Sequence, residues 1–243
     1  SGPNGFDQVV WEVKEHTDNS ITFFHLSTEE EQGFPGNLKV EVTYTLTEED
    51  AVEISYRGEA DKDTVMNFTN HSYFNLGGHE SGPVLNQKLQ ILADAFHPVR
   101  DENAIPTGEI APVEGTPMDF RTMKPIGQDI EADFEQLKLS GGYDHNYVLS
   151  DKVGEMKVMA NAYCEETGIA MEASTECCGV QFYAGNFISD HTGKDGKAYG
   201  KRCGFCLESQ FYPNAMNQEN VPSPIRKAGE VFTTKTVYRF YVK

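Results

Sequence analysis

Apolar residues in this chain recur mostly at every second position. Leu38, Val40, Val42, Tyr44 and Leu46 alternate with Lys39, Glu41, Thr43 and Thr45. That period of two predicts a half-buried β-strand over 38–46. Val52, Ile54 and Tyr56 repeat the pattern after the acidic turn Glu48-Glu49-Asp50, so the two segments read as a hairpin. Similar strand signals fall at 21–26, 88–93, 155–163, 169–173, 180–183 and 236–242, separated by clusters of Gly, Pro, Asn and Asp. Helical signal is thin: Ile130, Phe134 and Leu137 predict one short helix within 127–137. Strands without intervening helices imply antiparallel pairing. No internal repeat, low-complexity tract or linker interrupts the 243 residues, and the pattern reads as a single all-β domain over 1–243.

Charge narrows the partners. With 38 acids against 20 bases the formal charge is −18, spread along the chain rather than gathered in a tail. Such a surface repels polyanions, so nucleic acid is excluded as an expected partner. No apolar run approaches the ~20 residues of a membrane helix, and Ser1-Gly2-Pro3-Asn4-Gly5 lacks the basic and apolar regions of a signal peptide. Five cysteines, an odd number without regular spacing, argue against a disulfide framework. Cys203-x-x-Cys206 invites a zinc reading, but the only other close pair, Cys177-Cys178, is adjacent and chelates poorly. A cytoplasmic protein with reduced thiols and no metal is the expectation.

Three segments break the alternation and concentrate polar groups. Asn67-Phe68-Thr69-Asn70-His71-Ser72-Tyr73-Phe74-Asn75-Leu76-Gly77-Gly78 mixes amides, hydroxyls and an imidazole. Amides and hydroxyls both donate and accept, which suits a polyhydroxylated ligand; an amide-rich turn satisfying its own backbone fits equally well. Gly141-Gly142-Tyr143-Asp144-His145-Asn146-Tyr147 sets a carboxylate, an imidazole and an amide among aromatics, and on its own it reads more readily as a bulge with Asp144 capping a turn. Gly204-Phe205-Cys206-Leu207-Glu208-Ser209-Gln210-Phe211-Tyr212-Pro213-Asn214 places Glu208 in an apolar run, where a carboxylate is costly unless paired or functional. If Phe205 and Leu207 face the core, then Glu208, Gln210 and Tyr212 share the opposite side and suggest a lined pocket.

These stretches resemble the signatures of the aldose 1-epimerase (galactose mutarotase) family: N-x-T-N-H-x-Y-F-N-L, G-[FY]-D-H-N, G-V-Q-F-Y-x-G-N (here Gly179 to Asn186) and L-E-[ST]-Q-x-x-P-[DN]-A, in that order. Residues 105–108 and 222–229 also fit, and the match runs from about Gly2 to the end. The resemblance implies a large antiparallel β-sandwich of the galactose mutarotase type with a sugar groove across one face. It implies interconversion of the α and β anomers of free aldohexoses such as galactose and glucose, with no cofactor and no metal. Carried over by motif, Glu208 is the base and His71 the acid, Asp144 and Gln181 bind sugar hydroxyls, and Ser72 and Tyr73 help form the pocket. His145 is read as structural, facing away in an extended backbone.

Two departures follow from the same resemblance. Family members begin with further strands carrying an Arg and another His at the sugar; here Gly5-Phe6-Asp7-Gln8-Val9-Val10-Trp11 matches the segment just after that His. The expectation is a sandwich lacking the family's N-terminal strands, completed by a separate N-terminal fragment or a second copy, and a poor catalyst alone. His25, His79 and His97 are the first substitutes to examine, each otherwise read as an ordinary surface or strand histidine. Cys178 stands where the family usually has Pro and Ser209 where Thr is common. The competing functions are a non-catalytic carbohydrate-binding or regulatory protein on the same fold, a phosphosugar epimerase, for which no basic cluster is evident, and a glycosidase, which needs two flanking carboxylates where only Glu208 and Asp144 are candidates and Asp144 is read as a binding group.

Overall fold

The computed structural model describes residues 4–29, 31–219 and 221–243. Ser1, Gly2 and Pro3, on which the signal-peptide reading and the first residues of the domain span fall, lie outside the described residues. In chain order the strands are β1 (Glu12–His16), β2 (Ser20–Ser27), β3 (Leu38–Leu46), β4 (Ala51–Ala60), β5 (Thr64–Val65), β6 (Lys88–Ile91), β7 (Ala95–Phe96), β8 (Ala111–Pro112), β9 (Lys124–Pro125), β10 (Asp144–Val148), β11 (Lys157–Tyr163), β12 (Ile169–Thr175), β13 (Gly179–Tyr183), β14 (His191–Thr192), β15 (Ala198–Tyr199), β16 (Cys206–Gln210), β17 (Ile225–Arg226) and β18 (Val231–Val242). Nine form one sheet in the order β1-β2-β3-β4-β18-β12-β11-β6-β9, and five form a second in the order β16-β13-β10-β7-β8. Every pairing within these two sheets is antiparallel.

The alternating pattern translates directly into burial. Val40 and Ile54 from the large sheet and Tyr147, Val180, Phe182 and Leu207 from the small one belong to a single core cluster. The interior also carries a polar link between the sheets: the hydroxyls of Ser209 and Thr236 are hydrogen-bonded, and Tyr238 Oη donates to Leu207 O at 2.8 Å. The strands of the small sheet therefore turn Val180, Phe182 and Leu207 inward, and their alternate residues outward.

The expected helix is much shorter than its periodicity suggests: only Glu135–Leu139 is helical. Ile130 and Leu137 are both buried, but residues 127–134 reach the core as turns. Ile126 and Gly127 donate their N–H groups to Gln87 O and Leu85 O, and Phe134 donates to Ala132 O. Phe134 is extended at φ −128, ψ 128. Local donors are committed to tertiary partners and to a tight turn, so no i→i−4 ladder forms there.

At one end of the large sheet the inner face is uncovered. Val13 pairs with Phe23, which pairs with Val42, and Ile21 pairs with Tyr44. Val13, Tyr44 and Leu46 are exposed, and all of β1 is exposed at the sheet edge. This is apolar surface of the kind that associates.

Candidate active site

The outward residues of β10, β13 and β16 form the floor of a groove. Glu208 is opposite Gln181, and Gln181 is opposite Asn146. His97, just past β7, donates its backbone N–H to Asn146 O at 2.9 Å and extends this row by one strand. Tyr183 is flanked in the next row by Asp144 and Cys206. The groove has a volume of about 360 Å³ and is walled by His71, Tyr73, Tyr183, Phe187, Val99 and Pro106 among others. That size suits a small polar ligand.

The segment 67–78 is tied beside β16. Phe74 and Phe205 exchange backbone hydrogen bonds of 2.8 and 3.0 Å. Asn67 Oδ1 accepts from Phe211 N at 2.9 Å, and buried Asn70 donates to Tyr238 Oη at 3.2 Å. Asn75 donates to Gly82 O and Cys203 O. The amides of this segment are therefore spent mainly on neighbouring segments. Its amides satisfy the protein itself, while His71 and Tyr73 are left facing the groove, with ring centroids 5.0 Å apart. Ser72 does not line the groove; its N–H donates to Asn70 Oδ1 at 3.4 Å.

His71 Nε2 lies 3.6 Å from Glu208 Oε1. The Glu208 side chain is 13 % exposed and that of His71 is 51 % exposed. Burial, and then the nearby Asp144 charge, pushes the Glu208 carboxyl up to about 8. Asp144 is raised by burial too, opposed by the hydrogen bond it accepts from Gln181 Nε2 at 2.8 Å and by His71. Gln210 Nε2 donates to Asn146 Oδ1 at 3.3 Å. Gly179 makes room for this bond, because a Cβ there would stand 2.6 Å from Asn146 Oδ1.

Five of the six residues singled out from sequence, His71, Glu208, Asp144, Gln181 and Tyr73, line one groove; Ser72 stands outside it. Tyr212 also departs from expectation: it is buried, donates to Asp151 Oδ1 at 3.0 Å and packs on His97. The strand ends at Gln210, and the alternation ends with it. His145 is buried on the core side beside Phe96, where desolvation lowers it to about 4. His97 is a correction: it is neither a surface nor a simple strand histidine, but fully buried under the groove, lowered to about 4, with Nδ1 2.9 Å from Asn146 Nδ2. Asn146, Gln210, Tyr183, Phe187 and Cys206 complete the surroundings. Of these, alternation from Asp144 and Glu208 points to Asn146 and Gln210.

His71, Cys206 and Glu208 each place one potential donor atom within 4.8 Å of the others. The imidazole, however, turns Nδ1 to the thiol and Nε2 to the carboxylate. Opposite ring edges facing different partners suit proton exchange better than a shared ion, since a histidine offers one nitrogen to a given metal.

A family model described as aldose 1-epimerase matches residues 2–239. A galactose mutarotase from Sus scrofa is 42% identical over 242 residues, covering 99% of this chain and 68% of the relative. An aldose 1-epimerase from Escherichia coli K12 is 39% identical over 241 residues, covering 98% of this chain and 69% of the relative. Among solved structures, an aldose epimerase homologue from C. elegans matches with a TM-score of 0.85 at 30% identity, covering 99% of this chain and 71% of that one.

Proposed function

The chain belongs to the aldose 1-epimerase family, and from that premise we propose that it interconverts the anomers of free aldohexoses with Glu208 as base and His71 as acid. The observation that carries this reading is the His71–Glu208 pair, 3.6 Å apart at a polar groove floor. Opening a hemiacetal needs a base at the C1 hydroxyl and an acid at the ring oxygen. Glu208 takes the C1 hydroxyl proton while His71 Nε2 protonates the ring oxygen and the bond from C1 to that oxygen breaks. The open aldehyde rotates about C1–C2. Closure on the other face returns one proton to His71 and the other from Glu208. A carboxyl near 8 is a stronger base than an exposed one and titrates near working pH.

Asp144 and Gln181 hold the sugar hydroxyls in this reading, with Tyr73 and Tyr183 as walls. Galactose or glucose is the substrate, and the protein acts in the cytoplasm. No helix among the described residues is long and apolar enough to cross a membrane. Polarimetry of freshly dissolved α-D-galactose tests the function: the protein speeds the approach to the equilibrium rotation, and no acceleration for any common aldohexose would remove the proposal.

Binding gives a separate expected result. Asp144→Ala removes a partly buried acceptor and strands the Gln181 amide, so galactose affinity drops by about 1–3 kcal/mol in calorimetry. Unchanged affinity would take Asp144 out of the binding set.

A further inference from the structure

Cys206 sits two residues before Glu208 on the same face of β16. Its side chain is fully buried, and Sγ lies 3.3 Å from His71 Nδ1. The opposite ring nitrogen, Nε2, faces Glu208. One strand thus engages both edges of the imidazole. We propose that Cys206 is a positioning residue whose sulfur accepts a hydrogen bond from His71 Nδ1–H and so confines proton exchange to Nε2. This deepens, and rests on, the reading of His71 as the acid.

The chemistry requires such a partner. As an imidazolium, His71 carries protons on both nitrogens. Once Nε2 has protonated the ring oxygen, the neutral ring must keep its remaining proton on Nδ1, leaving Nε2 free to take a proton back during closure. A free neutral histidine side chain favours the other tautomer, with the proton on Nε2. The tautomer is set by what the second nitrogen meets. Here that is a thiol sulfur, a weak acceptor that meets Nδ1 directly.

The thiol must also stay neutral, because a thiolate would pair with the imidazolium and hold its proton. Burial pushes the Cys206 thiol well up, and the charges of Glu208 and Asp144 push it further. The other groups near His71 are Asp144 from β10, which feels its charge, and Tyr73 from its own segment and Tyr183 from β13, both through their rings. Neither ring contact supplies an acceptor at Nδ1.

The test is nitrogen-15 NMR of histidine-labelled, sugar-free protein together with kinetics. Wild type should show neutral His71 as the Nδ1–H tautomer. Cys206→Ala should move it toward Nε2–H and lower kcat roughly fivefold to tenfold, with KM little changed. Cys206→Ser keeps an acceptor and should restore both the tautomer and most of kcat. An Nε2–H tautomer in wild type, or the same tautomer and kcat in Cys206→Ala, would overturn the proposal. The tautomer is read without sugar, so it stands apart from whether His71 is catalytic; the mutarotation rate of His71→Asn tests that separately.

Discussion

Glu208→Gln is expected to slow mutarotation of α-D-galactose by at least ~10², the size of effect a positioned general base contributes. Gln keeps the shape and the outward orientation at this position of β16, opposite Gln181. It removes the only group in the Glu208–His71 pair able to take the C1 hydroxyl proton. Sugar binding should survive, because Asp144 and Gln181 keep their mutual hydrogen bond. The loss therefore falls on kcat rather than on KM. Polarimetry at saturating sugar reads it directly, and equal rates for Glu208→Gln and wild type would sink the assignment of Glu208 as base.

The strands were legible because their alternation is a local property. Leu38 to Leu46 forms a strand with the bounds its pattern predicts, and the hairpin partner pairs Leu46 with Val52. The helix was misread because donor commitment is not local: Gly127 and Ile126 spend their N–H groups on residues far back in the chain. Alternation also tells which face of a strand carries Glu208, and correctly sends His145 to the core. It does not tell which strands are neighbours or in what register, and a slip of one residue would invert a face.

That is why the row Glu208–Gln181–Asn146–His97 could not be assembled from sequence. Its members come from four separate segments, and only pairing brings them level. His97 looked ordinary because nothing local marks its burial. The proposed acid and base, His71 and Glu208, are singled out only through the family motifs. From residues alone, the amides around His71 pointed equally to a self-satisfied turn; Asn67, Asn70 and Asn75 instead bond to Phe211, Tyr238 and Gly82 and tie the segment to its neighbours.

The same Glu208→Gln change should stabilise the protein, and by an amount that depends on pH. The Glu208 carboxyl moves from its ordinary 4.5 up to about 8 in the folded state, because burial and Asp144 oppose its charge. Between these values the folded chain holds a proton that the unfolded chain has released. Unfolding then releases that proton, so stability falls as pH rises from 4.5 to about 8 and the loss is complete above that. The full loss is on the order of 4 kcal/mol, or roughly 10 °C in Tm for a domain of this size. Gln is neutral at every pH and carries no such loss. Below pH 4.5 the two proteins should melt together, and the variant should pull ahead through neutrality to a plateau in alkali. In an Asp144→Asn background, which removes the second cause, Glu208 ionises more easily in the folded state, so the gap still opens near 4.5 but levels off at a lower pH and with a smaller plateau. Calorimetric melts of wild type and Glu208→Gln across this range decide the matter. A gap that is constant with pH, or that favours wild type in alkali, would mean that Glu208 is not held as a strained, partly desolvated base.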